Sequence, residues 1–315
     1  MPLRKCVNFD KKVASSGFFN SIDYVLTDCD GVLWMGNDAI PGSVETIHAL
    51  KKSGKKIIYV TNNATKSREK FLIKCKKLGF PDLAIFVALT MDDVISTAFV
   101  AVEYLKSLNF HKKVYVLGTS GITDELTSAG IRHLPIGPDT CTEDWVDELA
   151  LGELPLDPEV GAVLVGFDQD FSYPKLTKAA SYLFNPEILL LATNRDEQFP
   201  SEGDIVIPGA GIFVTAVEAV AGREAVCLGK PCKHMLNCIK LVHPDIDFSR
   251  CLMIGDRLNT DILLGTQHGL KTLLVGTGIN SIEDVRGYEK SEANRLLVPD
   301  YYLPRLGDLK KFING

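Results

Sequence analysis

Short apolar runs alternate with longer amphipathic stretches along this chain, and that alternation limits its possible folds more than any other feature. Tyr24–Thr27, Lys56–Val60, Val114–Leu117, Ala162–Val165, Ile188–Ala192, Ala225–Leu228, Cys251–Ile254 and Thr272–Val275 are such runs. Segments this short and this apolar predict strands covered on both faces, as in a parallel sheet. Helical patterns lie between several of them. In 41–53, Pro41 suits the first turn, Val44, Ile47 and Leu50 form a stripe, and Gly54 suits the position past the end. A second helix is predicted from Ser67 to Leu78, stopped by Gly79, and further ones at 123–129 and 173–184. Strand–helix–strand alternation implies an α/β fold on a parallel sheet.

Four of the runs end in reactive polar residues. They are Asp28-Cys29-Asp30-Gly31, Thr61-Asn62-Asn63, Gly229-Lys230-Pro231 and Asp256-Arg257 with Asp261 shortly after. Ligands of open parallel sheets bind beyond the carboxyl ends of the strands, so these turns are expected to converge. Together they hold what phosphoryl transfer from a monoester needs. One carboxylate can attack and a second can donate a proton. A third completes an oxygen cage for Mg²⁺. A hydroxyl, backbone amides and a lysine can neutralise the phosphate oxygens. Each motif alone is a common turn or cap; their order and shared position carry the inference.

With these residues in view, the sequence resembles the haloacid dehalogenase (HAD) superfamily of phosphatases, in DCDGVLW, VTNN, LGKP and GDRLNTD. The likeness spans roughly residues 20–305. Within that superfamily it resembles the 4-nitrophenylphosphatase-like branch, which contains phosphoglycolate phosphatase and pyridoxal phosphate phosphatase. VGFDQDFSYPKL (165–176), ATNRD (192–196) and PGAG (208–211) are similar to stretches of that branch. The resemblance implies that Asp28 forms an aspartyl-phosphate and that Asp30 protonates the leaving oxygen, then activates water. It implies that Thr61, Asn62 and Asn63 hold phosphate and that Lys230 offsets charge. It also implies that Mg²⁺ is bound by Asp28, Asp256 and the Asp30 carbonyl, with Asp261 behind them.

The implied fold is a Rossmann-like parallel-sheet core, residues 1–105 and 208–315, with a large inserted α/β cap at 106–207. That insert is too long for a loop and has strands and helices of its own. Asn194, Arg195 and Asp196 follow a cap strand and are the expected substrate-selecting residues. Arg195 suits a substrate carboxylate, and ATNRDEQFP has Phe199 where the pyridoxal phosphatase branch carries a His. Phosphoglycolate is therefore the first expected substrate and pyridoxal phosphate the second, with 4-nitrophenyl phosphate hydrolysed in either case. The competing readings are a phospho-accepting signalling domain and an inactive phosphatase-fold binding protein. The resemblance further implies a homodimer through the cap.

Composition narrows the setting. The 315 residues carry a net charge of -6, without the basic excess of a nucleic-acid binder. Residues 106–207 hold 17 acids and 7 bases, for -10, and the remainder 23 acids and 27 bases, for +4. A basic core suits the collection of phosphate anions. Eight cysteines without a CxxC pair suit reduced thiols in the cytoplasm. The six histidines form no HxH or HxxxH, so zinc is not expected. The first twelve residues scatter charges with no apolar run behind them, so no secretory signal is expected. The stretch Ile205 to Val217 is too short and too broken by Pro208, Gly209 and Gly211 to span a membrane.

Overall fold

The computed structural model describes residues 3–80, 89–139, 147, 149, 154–201 and 203–313. Its strands are β1 (Val7–Asn8), β2 (Tyr24–Thr27), β3 (Trp34–Met35), β4 (Asp38–Ala39), β5 (Lys56–Thr61), β6 (Val94–Ser96), β7 (Lys113–Leu117), β8 (Val160–Val165), β9 (Leu189–Ala192), β10 (Gln198–Phe199), β11 (Ile207–Pro208), β12 (Val226–Cys227), β13 (Cys251–Gly255), β14 (Lys271–Val275) and β15 (Tyr301–Leu303). The main sheet has the order β1-β15-β14-β13-β2-β5-β6, and every pairing in it is parallel. β2 is central. The chain winds outward from it to β5 and β6, then returns to its other side with β13, β14 and β15. The direction of winding reverses between β2 and β13, and the segments following these strands part there.

A second parallel sheet, β12-β9-β8-β7, draws on residues 113–227. Two helices, Tyr173–Leu183 and Ala210–Ala221, bury Ala179, Leu183, Val214 and Val217 against one of its faces. The expected boundary at 207/208 would cut this sheet from its helix Ala210–Ala221 and its strand β12. The stretch Ile205 to Val217 thus ends inside a cap helix, and Gly209 is that helix's N-cap. The other face of the second sheet shares one apolar cluster with the main sheet. Val116, Leu164 and Leu191 meet Leu26, Val60 and Ile95 through the helices Thr97–Ser107, Ser120–Ser128 and Lys233–Val242.

Local sequence explains most element ends. Ser67 and Ser172 cap their helices by accepting from Lys70 N and Lys175 N, both at 3.4 Å. The first long helix runs Ser43–Lys52, so Pro41 lies before its N-cap, Gly42, and not within its first turn. Gly54 takes φ +83° just past the end, as expected. Among the described residues no helix is long and apolar enough to cross a membrane.

Candidate active site

The segment after β2 folds back on itself. The Cys29 carbonyl accepts from Leu33 N at 2.8 Å, and Gly31 turns the chain at φ +85°. This brings Asp28 and Asp30 to the carboxyl end of β2, where both line one recess. Asp28 N donates to the Ile254 carbonyl at 2.9 Å, which ties the first turn to the fourth. Register keeps the strand ends level, with Thr27 opposite both Ile254 and Tyr59.

Lys230 is the hub. Its Nζ lies 2.8 Å from Asp28 Oδ1 and 2.7 Å from Asp261 Oδ1, and donates to the Val60 carbonyl at 3.0 Å. Lys230 comes from the second sheet, because the strand before it is β12. Only three of the four turns therefore rise from the main sheet; the third reaches the site from the other. Asn62 holds it there, with Oδ1 accepting from Lys230 N at 2.8 Å and Nδ2 donating to Asp196 Oδ1 at 3.0 Å. The Asn62 carbonyl in turn accepts from Thr97 Oγ1 at 2.9 Å and Asn194 Nδ2 at 2.7 Å.

Asp28, Asp256 and Asp261 each place a carboxylate oxygen within 4.8 Å of the others. Glycine makes this crowding possible. A Cβ on Gly278 would stand 1.7 Å from Asp256 Oδ2, and one on Gly255 2.1 Å from Asp261 Cβ. Burial raises the Asp28 carboxyl to about 6, Lys230 opposing the rise and Asp261 adding to it. Burial, then Asp28 and Asp261, raise Asp256 well above the carboxylate range. Burial also works against charge on Lys230, but Asp261 and Asp28 outweigh it and hold the ammonium protonated. With all three carboxyls ionised, the single ammonium leaves two negative charges, which a divalent cation matches. An all-oxygen donor set of this kind suits a hard one.

Asp30 sits apart from that cluster. Its Oδ1 accepts from Trp34 Nε1 at 2.8 Å and lies 3.8 Å from Lys74 Nζ, and its Oδ2 accepts from Asn63 Nδ2 at 3.1 Å. Thr61, Asn62, Asn63 and Asp196 join Asp28, Asp30, Lys230 and Asp256 in lining one recess. The expected substrate residues Asn194 and Arg195 are not in its wall. Asn194 is buried behind Asn62. Arg195 points to Glu218, which takes both guanidinium ends, and to the Ala225 carbonyl at 3.5 Å. Its planar fork is already filled by a carboxylate of the protein itself.

Gln198, Phe199 and Pro200 also line the recess, and Arg257 Nη2 donates to the Gln198 carbonyl at 2.5 Å. Arg257 lies 3.1 Å from Glu197 Oε2 and 3.6 Å from Asp196 Oδ1. Burial raises the Asp196 carboxyl, and Arg257 opposes that rise. Arg257 and Phe199 belong to stretches that stand out in the sequence, but nothing local told that they line one recess.

Known proteins resemble this chain over nearly its whole length. A family model described as haloacid dehalogenase-like hydrolase matches residues 25–132, and one described as HAD-hydrolase-like matches residues 227–309. A glycerol-3-phosphate phosphatase of Gallus gallus is 42% identical over 97% of this chain and 96% of its own. Chronophin of Mus musculus is 37% identical over 90% and 91%. A solved glycerol phosphate phosphatase from Mycobacterium tuberculosis, in complex with magnesium, superposes with a TM-score of 0.72 at 26% identity, over 93% of this chain and 78% of that one. The chain belongs to the haloacid dehalogenase-like hydrolases, as a phosphoric monoester hydrolase.

Proposed function

We propose that the chain is a Mg²⁺-dependent phosphatase of small, uncharged-headed phosphate monoesters, with glycerol 3-phosphate its first substrate, working through an aspartyl-phosphate on Asp28. The observation that carries this reading is the pairing of Lys230 with both Asp28 and Asp261 beside Asp256. Asp28 attacks phosphorus, kept in place by Lys230. Asp30, oriented by Trp34 and Asn63, gives its proton to the leaving oxygen and then takes one from the water that frees Asp28. Thr61 and the backbone of Asn62 and Asn63 hold the phosphate oxygens. Asp28, Asp256 and the Asp30 carbonyl would hold Mg²⁺, with Asp261 fixing Lys230 behind them. When bound, the ion supplies the charge neutralisation that lets an anionic ester approach a carboxylate.

The leaving group follows from what the recess lacks. Phosphoglycolate needs a cation for its second anion. Arg195 is committed to Glu218, and Arg257 to Asp196 and Glu197. Lys230 serves the phosphate end. A hydroxylated, uncharged leaving group asks for no further cation, and the glycerol-3-phosphate phosphatases among the relatives favour it. Pyridoxal phosphate remains the second reading, because Phe199 offers a ring face in the wall and chronophin is also a relative. Phosphate release from glycerol 3-phosphate, phosphoglycolate, pyridoxal phosphate and 4-nitrophenyl phosphate tests the order. Higher kcat/KM for pyridoxal phosphate or phosphoglycolate than for glycerol 3-phosphate would overturn the leaving-group assignment. Absence of Mg²⁺-dependent release from all four would overturn the chemistry.

Residues from about 113 to 228 act as the cap in this reading. Gln198 to Pro200 must part from the core for a substrate to enter, so closure excludes water. The cap also carries the contact of a homodimer, for which exposed Ile205, Val206 and Ile212 are the supporting observation. The mass in solution by light scattering tests it, and a monomer at working concentration removes it. Seven unpaired cysteines among the described residues favour a cytoplasmic setting; Cys141 lies outside those residues.

A further inference from the structure

The second sheet holds a crevice that the phosphatase chemistry does not use. β7 and β8 are neighbours, yet the chain leaves them toward opposite faces. The helix after β7 packs Ile122 and Leu126 on the face of Val114, Val116 and Leu164. The helix after β8 packs Ala179 and Leu183 on the face of Tyr115, Leu117 and Val163. Neighbouring parallel strands that part in this way open a crevice at their carboxyl ends, where α/β sheets take ligands. Here the crevice is a cavity of about 580 Å³, within the range of roughly 300–1,000 Å³ typical of small-molecule sites.

Its polar groups are under-used. Lys175 lines the cavity and is only 2% exposed. Its Nζ reaches Asp168 Oδ2 at 2.8 Å and no other acceptor among the described residues. Two of the three ammonium donors are therefore without a partner among the described residues, which is uncommon for a buried group. Thr119, the N-cap of the helix Ser120–Ser128, makes no capping hydrogen bond, and its hydroxyl oxygen is shielded without a partner. Thr119 and Ser120, at the positive end of that helix's dipole, line the crevice, while Ile122 N already donates to the Thr119 carbonyl at 3.1 Å. Lys66 adds a second ammonium at the mouth, and Ile136, Pro138 and Phe167 supply an apolar wall. Lys175 neutralises Asp168, and Asp170 is exposed to screening water.

We propose that this crevice is a second ligand site, separate from the catalytic recess, for a small organic anion with a phosphate-like head. The head sits between Lys66, Lys175 and the helix end at Thr119 and Ser120, and the organic part lies on Phe167, Ile136 and Pro138. This gives the stretch VGFDQDFSYPKL a role, since it supplies Phe167, Asp168 and Lys175. The site also borders the catalytic machinery. Thr65, in its wall, donates from N and Oγ1 to Asn63 Oδ1 at 2.9 and 2.6 Å, and Asn63 holds Asp30.

Phenylphosphonate is a suitable probe, because its P–C bond is not a substrate for ester hydrolysis and it carries both an anionic head and a ring. Titrated calorimetrically into the full chain with Mg²⁺, it should bind in two events. Lys66→Glu, a surface change, should weaken one event about tenfold and leave kcat and KM for 4-nitrophenyl phosphate unchanged. Lys175→Met should abolish that same event; where that variant fails to fold, Lys66→Glu decides. A single binding event, or two events both indifferent to Lys66→Glu, would overturn the proposal. Inorganic phosphate in place of phenylphosphonate should show the same dependence on Lys66 with weaker binding, and equal or tighter binding would overturn the role of the apolar wall.

Discussion

Asp28 and Asp30 are two residues apart and live in different surroundings. Asp28 shares Lys230 with Asp261, whereas Asp30 is held by Trp34 and Asn63. The division suits a nucleophile that must stay anionic and an acid–base group that must change state. Asp28→Asn keeps the shape and removes the nucleophile. It should abolish turnover while circular dichroism and melting remain those of a folded chain; retained turnover would refute the assignment. Gly278 is a sharper probe of the carboxylate cluster. Since a Cβ there meets Asp256 at 1.7 Å, Gly278→Ala should raise the Mg²⁺ needed for half-activation about tenfold or more. An unchanged Mg²⁺ requirement would place the ion elsewhere.

Among the elements, the segment from Asp196 to Pro208 depends most on support from outside itself. Among the described residues β10 and β11 pair only with each other, and the core holds this segment through Arg257, with Asn62 on Asp196 and Asn259 on Glu197 beside it. Arg257→Gln should therefore raise KM more than it lowers kcat, and an effect confined to kcat would mean that Arg257 touches the chemistry directly. Helix ends make a separate prediction. Ser67→Ala removes the cap of Arg68–Lys77 and should cost about 1 kcal/mol of stability in denaturant unfolding. The strands β2, β5, β7, β8, β9, β12, β13 and β14 and the helices beginning near Ser43, Ser67 and Tyr173 were legible in the sequence, because short apolar runs and Ser or Gly boundaries act locally. The helix Thr97–Ser107 was not. It is buried nearly all round, at Ala98, Phe99, Val100, Ala101 and Val102, so no polar face breaks the run into a helical period.

Across the whole molecule, the two sheets share one apolar seam, and the site lies where loops of both meet. Binding of a cation to the carboxylate cluster should stabilise this arrangement by linkage, because the unfolded chain lacks the cluster. Mg²⁺ should raise the melting temperature of the wild type and leave that of Asp256→Asn unmoved. EDTA should stop phosphate release and added Mg²⁺ restore it; full activity in EDTA would exclude the metal from the reaction.

Spacing and residue type by themselves determined the parallel sheet, the four turns and the carboxylates Asp28, Asp30, Asp256 and Asp261, because strand ends and turn residues are local signals. Tertiary structure alone decided which side chains face the recess. Arg195 is adjacent to Asp196 in sequence, yet it turns to Glu218 while Asp196 turns to Asn62 and Arg257. Tertiary structure also decided that Lys230 arrives from the second sheet and that the expected boundary at 207/208 splits a packed unit. Such outcomes depend on which charges and apolar faces become neighbours after packing, and sequence distance carries no record of that.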